Sequence, residues 1–437
     1  MHLFELFSDF EFLISDFYFP SRYTPSSMDT NRLKITATEA TAAEDDRFHR
    51  FKLIGWWDQK KLADAKVLVI GAGALGNEIL KNLSLLGIGH VLVADLDRIE
   101  NSNLSRSVLY RMADNGQYKA TVAAKAAQEI YPDLKSHAFN GNVVYDLGLG
   151  VFRWADVVIA GLDNREARLA INRACWRIRK PWIDGAIEQI QGIARVFSPL
   201  THPDGPCYEC TMSDTDWKLL ANRRSCNLLS RGEMQGGKTP TTPTISSIIA
   251  GVQCQEAVKL LHGMETIAGR GWVFAGLTAD SYTIDYQAKA ECYSHDPLDE
   301  IIPLDHGVAD ITPRELLAKA REHLGPTAEL ELARDVLEKM VCPTCAREEL
   351  MFISLGKAKG ELADCPHCPG TRREVVTFFK IRGDESFIDR PLAQIGVPRF
   401  DIIIARCAAR SIGFELTGDA PSILGPLWTG PDALEWQ

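Results

Sequence analysis

The stretch 66–97, KVLVIGAGALGNEILKNLSLLGIGHVLVADLD, decides the fold. It opens with an apolar, β-branched run that breaks into Gly71, Gly73 and Gly76, the pattern G-x-G-x-x-G. Apolar residues at helical spacing follow (Ile79, Leu80, Leu83, Leu86), and HVLVADLD then reads as a second buried strand. Strand, glycine turn, helix and strand within about 30 residues make one βαβ unit. A third apolar strand, ADVVIAGLDN (155–164), leads into a helical pattern through Arg179. KPWIDGAIE and GIARVFSP read as further strands. TPTISSIIAGVQCQEAVKLLHG (242–263) is a long helix, and GWVFAGLTADSYTIDYQA supplies two alternating strands joined by a turn. Residues 45–305 are therefore predicted to form one large α/β domain. Residues 1–44 read as a loose N-terminal arm, and Met28 is a second candidate start.

After residue 305 the pattern changes. TPRELLAKAREHLGPTAELELARDVLEKM (312–340) is predicted as two helical pieces split by Gly325-Pro326. FISL, REVVTFFKI and FDIIIARC read as strands of an α+β extension over 306–437. The 437 residues carry 46% hydrophobic and 24% charged residues, an ordinary globular composition that argues against wholesale disorder. Lys and Arg number 48 against 58 Asp and Glu, a net charge of −10 that leaves no overall footprint for nucleic acid. No apolar run approaches the roughly 18 residues of a membrane span. Of 11 cysteines, six fall in CxxC pairs, which suits metal ligands in a reduced, cytoplasmic setting better than a disulfide framework.

The glycines permit a tight turn and close approach of backbone amides to phosphate oxygens, and Asp95, closing the second strand, is placed to accept ribose hydroxyls. That much alone fits a NAD-dependent dehydrogenase. The following DLDRIENSNLSRSVLYRMADNGQYK changes the expectation, because Asp97, Asn103, Arg106 and Lys119 match a neutral nicotinamide poorly. Fixed cations suit a triphosphate whose charge must be held while one phosphorus is attacked. Asp163, at the end of the third predicted strand, is a natural anchor for Mg²⁺ beside such a ligand.

These residues together resemble the ThiF/MoeB and ubiquitin-activating enzyme superfamily. The resemblance runs from Arg47 to about His295 and rests on RFHR (47–50), GAGALG, DLD, SNLSR, Lys119, LDNREAR, PCYEC and QEAVKLL. It implies a Rossmann-like adenylation domain that uses ATP to adenylate the C-terminal carboxylate of a small ubiquitin-like or sulfur-carrier protein ending in Gly. By the same resemblance Asp95 binds ribose, Arg106 and Lys119 hold phosphates, Asp163 holds magnesium, and Arg50 reaches across a homodimer into the partner's site. Ser107 departs from the Gln usual after that Arg. Cys226, in a Gly-rich crossover region (222–242) near Arg223 and Arg224, is the candidate for a thioester with the activated protein. A sulfur-carrier adenylyltransferase without that thioester is the alternative reading. A zinc scaffold without activity is disfavoured by the presence of Asp95, Arg106, Lys119 and Asp163 together.

Cys342-x2-Cys345-x19-Cys365-x2-Cys368 has the spacing of a zinc ribbon. His367 competes as fourth ligand, but the second thiol fits the pattern better. The Cys207/Cys210 pair needs distant partners, which the resemblance supplies just after the last sheet strands. That place reads ECYSHD, so Cys292 and His295 would complete a Cys3His site. Two structural Zn²⁺ sites are expected, and the extension that holds the ribbon is a candidate surface for a conjugating enzyme.

Overall fold

The computed structural model describes residues 46–225, 240–358 and 360–431. Contacts divide the chain into two units, 1–49 and 50–437. The described part of the first is a turn in which the His49 amide donates to Asp46 O at 2.9 Å. The expected N-terminal arm lies outside the described residues, as does Cys226.

In the second unit a short helix, α1 (Gln59–Asp64), precedes β1 (Lys66–Ile70), α2 (Ala74–Leu86) and β2 (His90–Asp95). Then follow α3 (Lys119–Ile130), β3 (Lys135–Asn140), α4 (Leu149–Trp154), β4 (Val157–Gly161) and α5 (Arg165–Arg177). Next come β5 (Trp182–Glu188), β6 (Gln191–Phe197), α6 (Asp214–Ser225), α7 (Pro243–Leu261), β7 (Arg270–Ala275) and β8 (Asp280–Asp285). The eight strands form one sheet in the order β3-β2-β1-β4-β5-β6-β7-β8. It is parallel from β3 to β5 and antiparallel from β5 to β8.

Period-two alternation explains why the central strands read as unbroken apolar runs: both faces are covered. Val67 and Val69 of β1 point into a core with α2, α3 and α7, while Leu68 and Ile70 point into a second core with α4 and α5. α2 stops at Gly87, whose φ of 80° allows its amide to bond back to Leu83 and Ser84 carbonyls.

The second sheet contains β9 (Glu300–Leu304), then β10 (Glu329–Val341), β11 (Glu348–Ser354), β12 (Glu374–Ile381), β13 (Ile402–Cys407) and β14 (Arg410–Leu416). Its order is β11-β10-β13-β14-β9, with β12 also paired to β10. Helix α8 (Pro313–Leu324) covers it, and α9 (Ala420–Leu424) follows β14. One expectation is corrected here: the second predicted helical piece, beyond Gly325-Pro326, is the strand β10. Its register shifts between Glu331 and Val336 and again between Leu337 and Lys339, so buried Val336, Leu337 and Met340 fall at helix-like intervals. Pairing to three neighbouring strands outweighs the helical propensity of Leu, Glu, Ala and Lys.

The two sheets share a core. Phe400, Ile402, Ile404, Leu424 and Leu427 pack with Leu68, Leu92, Val151 and Trp154. The Leu149 amide donates to Asp401 Oδ1 at 2.7 Å, and a Cβ on Gly148 would lie 2.3 Å from Phe400 O. Although β9 precedes residue 305, it pairs in parallel with β14 and so belongs to the second sheet.

Candidate active site and metal centres

A cleft of about 1550 Å³ opens at the carboxyl ends of the parallel strands. The glycine turn forms its floor. Gly71 has φ +92°, and a Cβ there would sit 2.5 Å from Gly161 O. Gly73 caps α2, and a Cβ on it would meet open space. Gly76 stands behind the turn, where a Cβ would come 1.9 Å from Gly71 O. The turn is pinned from several sides. The Gly71 amide donates to Ala94 O, and Ala72 O accepts from Asn77 Nδ2 at 2.8 Å and from the Tyr110 hydroxyl at 2.5 Å.

Asp95, at the end of β2, accepts from the Ala72 amide (2.7 Å) and the Asp97 amide (2.7 Å). Burial pushes its carboxyl above the usual carboxylate range, against the pull of Lys119 and the two amides. Lys119 begins α3, and its Nζ is 2.8 Å from Asp97 Oδ2, which holds the ammonium at the cleft wall. Arg106 reaches the same cleft while donating to Ser102 O at 2.8 Å. Asn103 lines it too, but its Oδ1 accepts the Glu100 amide and fixes the intervening turn. Ser107, at the departure from the usual Gln, is buried at the cleft edge.

Asp163 follows β4, exposed and lining the cleft. Behind it, Arg168 donates to Leu162 O and, at 2.8 Å, to Asp184 Oδ1. Asp184 is fully buried on β5 and also pairs with Arg195. Burial alone would raise its pKa; the two guanidiniums outweigh burial and hold it below the ordinary range. Thus Gly71, Gly73, Asp95, Asp97, Asn103, Arg106, Lys119 and Asp163 all line one cleft. Arg50 is exposed on a turn and is not among the lining residues, and Gly76 acts from behind.

Sequence reasoning missed the turn's supports, Asn77 and Tyr110. No signal in the sequence singles Asn77 out, since α2 also carries Glu78, Lys81, Asn82 and Ser84; Asn77 is completely buried, and its Oδ1 also accepts the Leu109 amide at 2.9 Å.

Two quartets of donors gather away from the cleft floor. Cys207, Cys210, Cys292 and His295 bring their ligand atoms within 4.8 Å of one another, and so do Cys342, Cys345, Cys365 and Cys368. Thiolates bound 2.3 Å from a tetrahedral zinc lie about 3.8 Å apart. The observed separations fit: 3.5 Å for Cys207–Cys292, 3.7 Å for Cys207–Cys210 and 3.9 Å for Cys345–Cys365. Trp176 stacks on the His295 ring at 4.5 Å and fixes its plane. Buried Glu209 accepts from Ser294 Oγ at 2.5 Å and pairs with Arg173, tying the first quartet to α5. Both donor sets suit closed, structural metal sites.

The sequence model of the ThiF family matches residues 46–294, more than half of the chain. The chain belongs to the ThiF family. Among similar proteins is a sulfur carrier protein adenylyltransferase of Thermus thermophilus, 39% identical over 39% of this chain and 65% of that one. A probable adenylyltransferase/sulfurtransferase MoeZ of Mycobacterium tuberculosis is 29% identical over 64% of this chain and 72% of that one. The matches span 65%, 52% and 48% of the length of three such relatives. A crystal structure of E. coli MccB with ATP aligns over 58% of this chain and 75% of that one, at 20% identity and a TM-score of 0.48. Among the described residues no helix is long and apolar enough to cross a membrane.

Proposed function

We propose that this ThiF-family chain uses ATP to adenylate the C-terminal carboxylate of a small sulfur-carrier or ubiquitin-like protein ending in Gly, releasing pyrophosphate. The observation that carries the reading is the single cleft lined by Gly71, Gly73, Asp95, Arg106, Lys119 and Asp163. A carboxylate oxygen of the carrier attacks the α-phosphorus, the bond from that phosphorus to the bridging oxygen breaks, and pyrophosphate leaves with the bond's electrons. Both reactants are anions, so the barrier is largely electrostatic. In this proposal amides of the glycine turn cradle phosphate oxygens, Asp95 accepts the ribose hydroxyls, and Arg106 and Lys119 offset the charge that builds on the leaving group. Loss of one such donor typically costs about 3–4 kcal/mol in the transition state. Asp163 would hold Mg²⁺ together with the phosphates, since that ion takes one or two carboxylates and keeps the rest of its shell for substrate and water. Arg50 would act on a second copy's cleft in a homodimer. The two Cys quartets would hold Zn²⁺ as structural crosslinks.

What favours simple adenylation over an enzyme-bound thioester at Cys226 is that similar proteins are named a sulfur carrier protein adenylyltransferase and a probable adenylyltransferase/sulfurtransferase. ATP–pyrophosphate exchange tests the proposal: exchange should require a small protein with a C-terminal Gly, and a non-reducing gel should show no thiol-sensitive conjugate. Exchange that is absent with every such carrier would refute the adenylation reading. A conjugate lost in Cys226→Ala would instead restore the thioester reading.

A further inference from the structure

The cleft is not built by the family domain alone. After β3 the chain forms a rim at 141–146, and the 3-10 turn Leu355–Lys357 of the second sheet sits against it. The Tyr145 phenol lies across Gly356, where a Cβ would come 2.1 Å from the ring. Its hydroxyl donates to Glu166 Oε1 at 2.7 Å, and Lys357 pairs with Asp146. Leu355 and Ala358 line the same cleft as Val143 and Val144, and they also pack in one apolar cluster with Leu337 and Met340.

Strand order indicates what this apolar end would meet. β1, β2 and β3 are consecutive neighbours, and Asp95 is in register with Asn140. Asp95 takes the Ala72 amide on one side, while its own carbonyl accepts the Gly141 amide at 3.2 Å on the other. The ribose carboxylate thus stands between the glycine turn and the 141–144 rim. A nucleotide with phosphates over Gly73 and sugar hydroxyls at Asp95 runs its base toward Val143 and Val144. A nucleotide is itself charged at one end and flat and apolar at the other, which matches this division of the cleft.

We propose that residues 355–358 of the second sheet form the outer wall of a base subsite in the adenylation cleft, with Leu355 as a specificity-determining residue. This rests on the ATP reading above and adds that the cleft is incomplete without the extension.

Calorimetric titration of the full chain with ATP and with inorganic tripolyphosphate tests it, because tripolyphosphate engages only the charged end. Leu355→Ala should weaken ATP roughly tenfold through lost apolar contact and leave tripolyphosphate unchanged. Unchanged ATP affinity overturns the wall, as does an equal loss for both ligands, which would mean that Leu355 acts through the fold. Should the alanine variant not fold, Leu355→Met reshapes the same wall at nearly constant volume. With that variant a change of roughly threefold or more in the ratio of ATP to GTP affinity supports the proposal, and a constant ratio overturns it. A wild-type chain that binds tripolyphosphate but not ATP overturns both this proposal and the function on which it rests. ATP binding that ignores Leu355 removes the wall alone.

Discussion

Gly76 and Gly73 differ by three positions and should fail in opposite ways when given a methyl group. At Gly76 the new Cβ would lie 1.9 Å from Gly71 O, whereas real Cβ contacts stay beyond 3.0 Å, so the carbonyl must retreat by about 1.1 Å. The turn cannot yield freely, because Ala94 O holds the Gly71 amide and Asp95 holds the Ala72 amide. Losing two such hydrogen bonds at about 1 kcal/mol each, with about 1–3 kcal/mol of overpacking, costs about 3–5 kcal/mol. Alanine returns about 1 kcal/mol as the better helix former in α2, leaving a net loss of about 2–4 kcal/mol. For a unit of this size, with an unfolding entropy of about 2.1 cal/mol/K per residue, that lowers the melting temperature by roughly 2–5 °C. Gly73→Ala points its methyl into open space within the cleft, so stability should stay within about 0.5 kcal/mol while ATP affinity falls. Thermal melts and ATP titrations of both variants check this pair. A Gly76→Ala variant melting within about 1 °C of wild type would refute the packing argument.

Three further outcomes are expected. Lys119→Met should slow ATP–pyrophosphate exchange by about 10²–10³-fold while barely moving the melting temperature, since its partner Asp97 is 56% exposed and such pairs add at most about 1 kcal/mol; a matching loss of stability would recast Lys119 as structural. Elemental analysis should find two zinc ions per chain, falling to one in Cys292→Ser and, separately, in Cys365→Ser; two ions in either variant would reject that site. Asp184→Asn should destabilise the fold by about 3–5 kcal/mol at neutral pH, because two arginines lose their shared counter-charge. The lowered folded pKa means this advantage is full above the ordinary carboxylate value of 3.8 and fades as pH falls through the folded value. Urea titrations from neutral to acid pH should therefore show wild type and variant converging only at the acid end, and a constant gap would be inconsistent with an ionised Asp184.

Much of the first sheet could be read from the chain because its strands are buried on both faces and announce themselves as apolar runs. Strand β3, KSHAFN, escaped for the complementary reason: it is the sheet edge, and its half-exposed side chains carry no apolar signal. Strand β10 misled because its irregular register gives Val336, Leu337 and Met340 the spacing of a helix. That Asp95, the glycine turn and the cations share one cleft was legible because each is tied to a strand end by short stretches of sequence. The supports were not: Tyr110 and Asn77 act on the turn through contacts such as Tyr110 to Ala72 O, 38 positions apart, that no local pattern encodes. The contribution of residues 355–358 is hidden more deeply, since it exists only once the second sheet has docked.

That docking has a consequence for how the chain could be shortened or recombined. Helix α4 reaches the second sheet through bare glycine backbone at Gly148 and Gly150, and the Leu149 amide is answered by Asp401. A truncation after residue 305 would strip that surface, strand Asp401's partner and leave β9 with nothing to pair with. Nor would a chimaera carrying another protein's tail inherit a matching seam. The extension is keyed into the ThiF-family domain like a wedge in masonry, and the two must be inherited, swapped or redesigned as one piece.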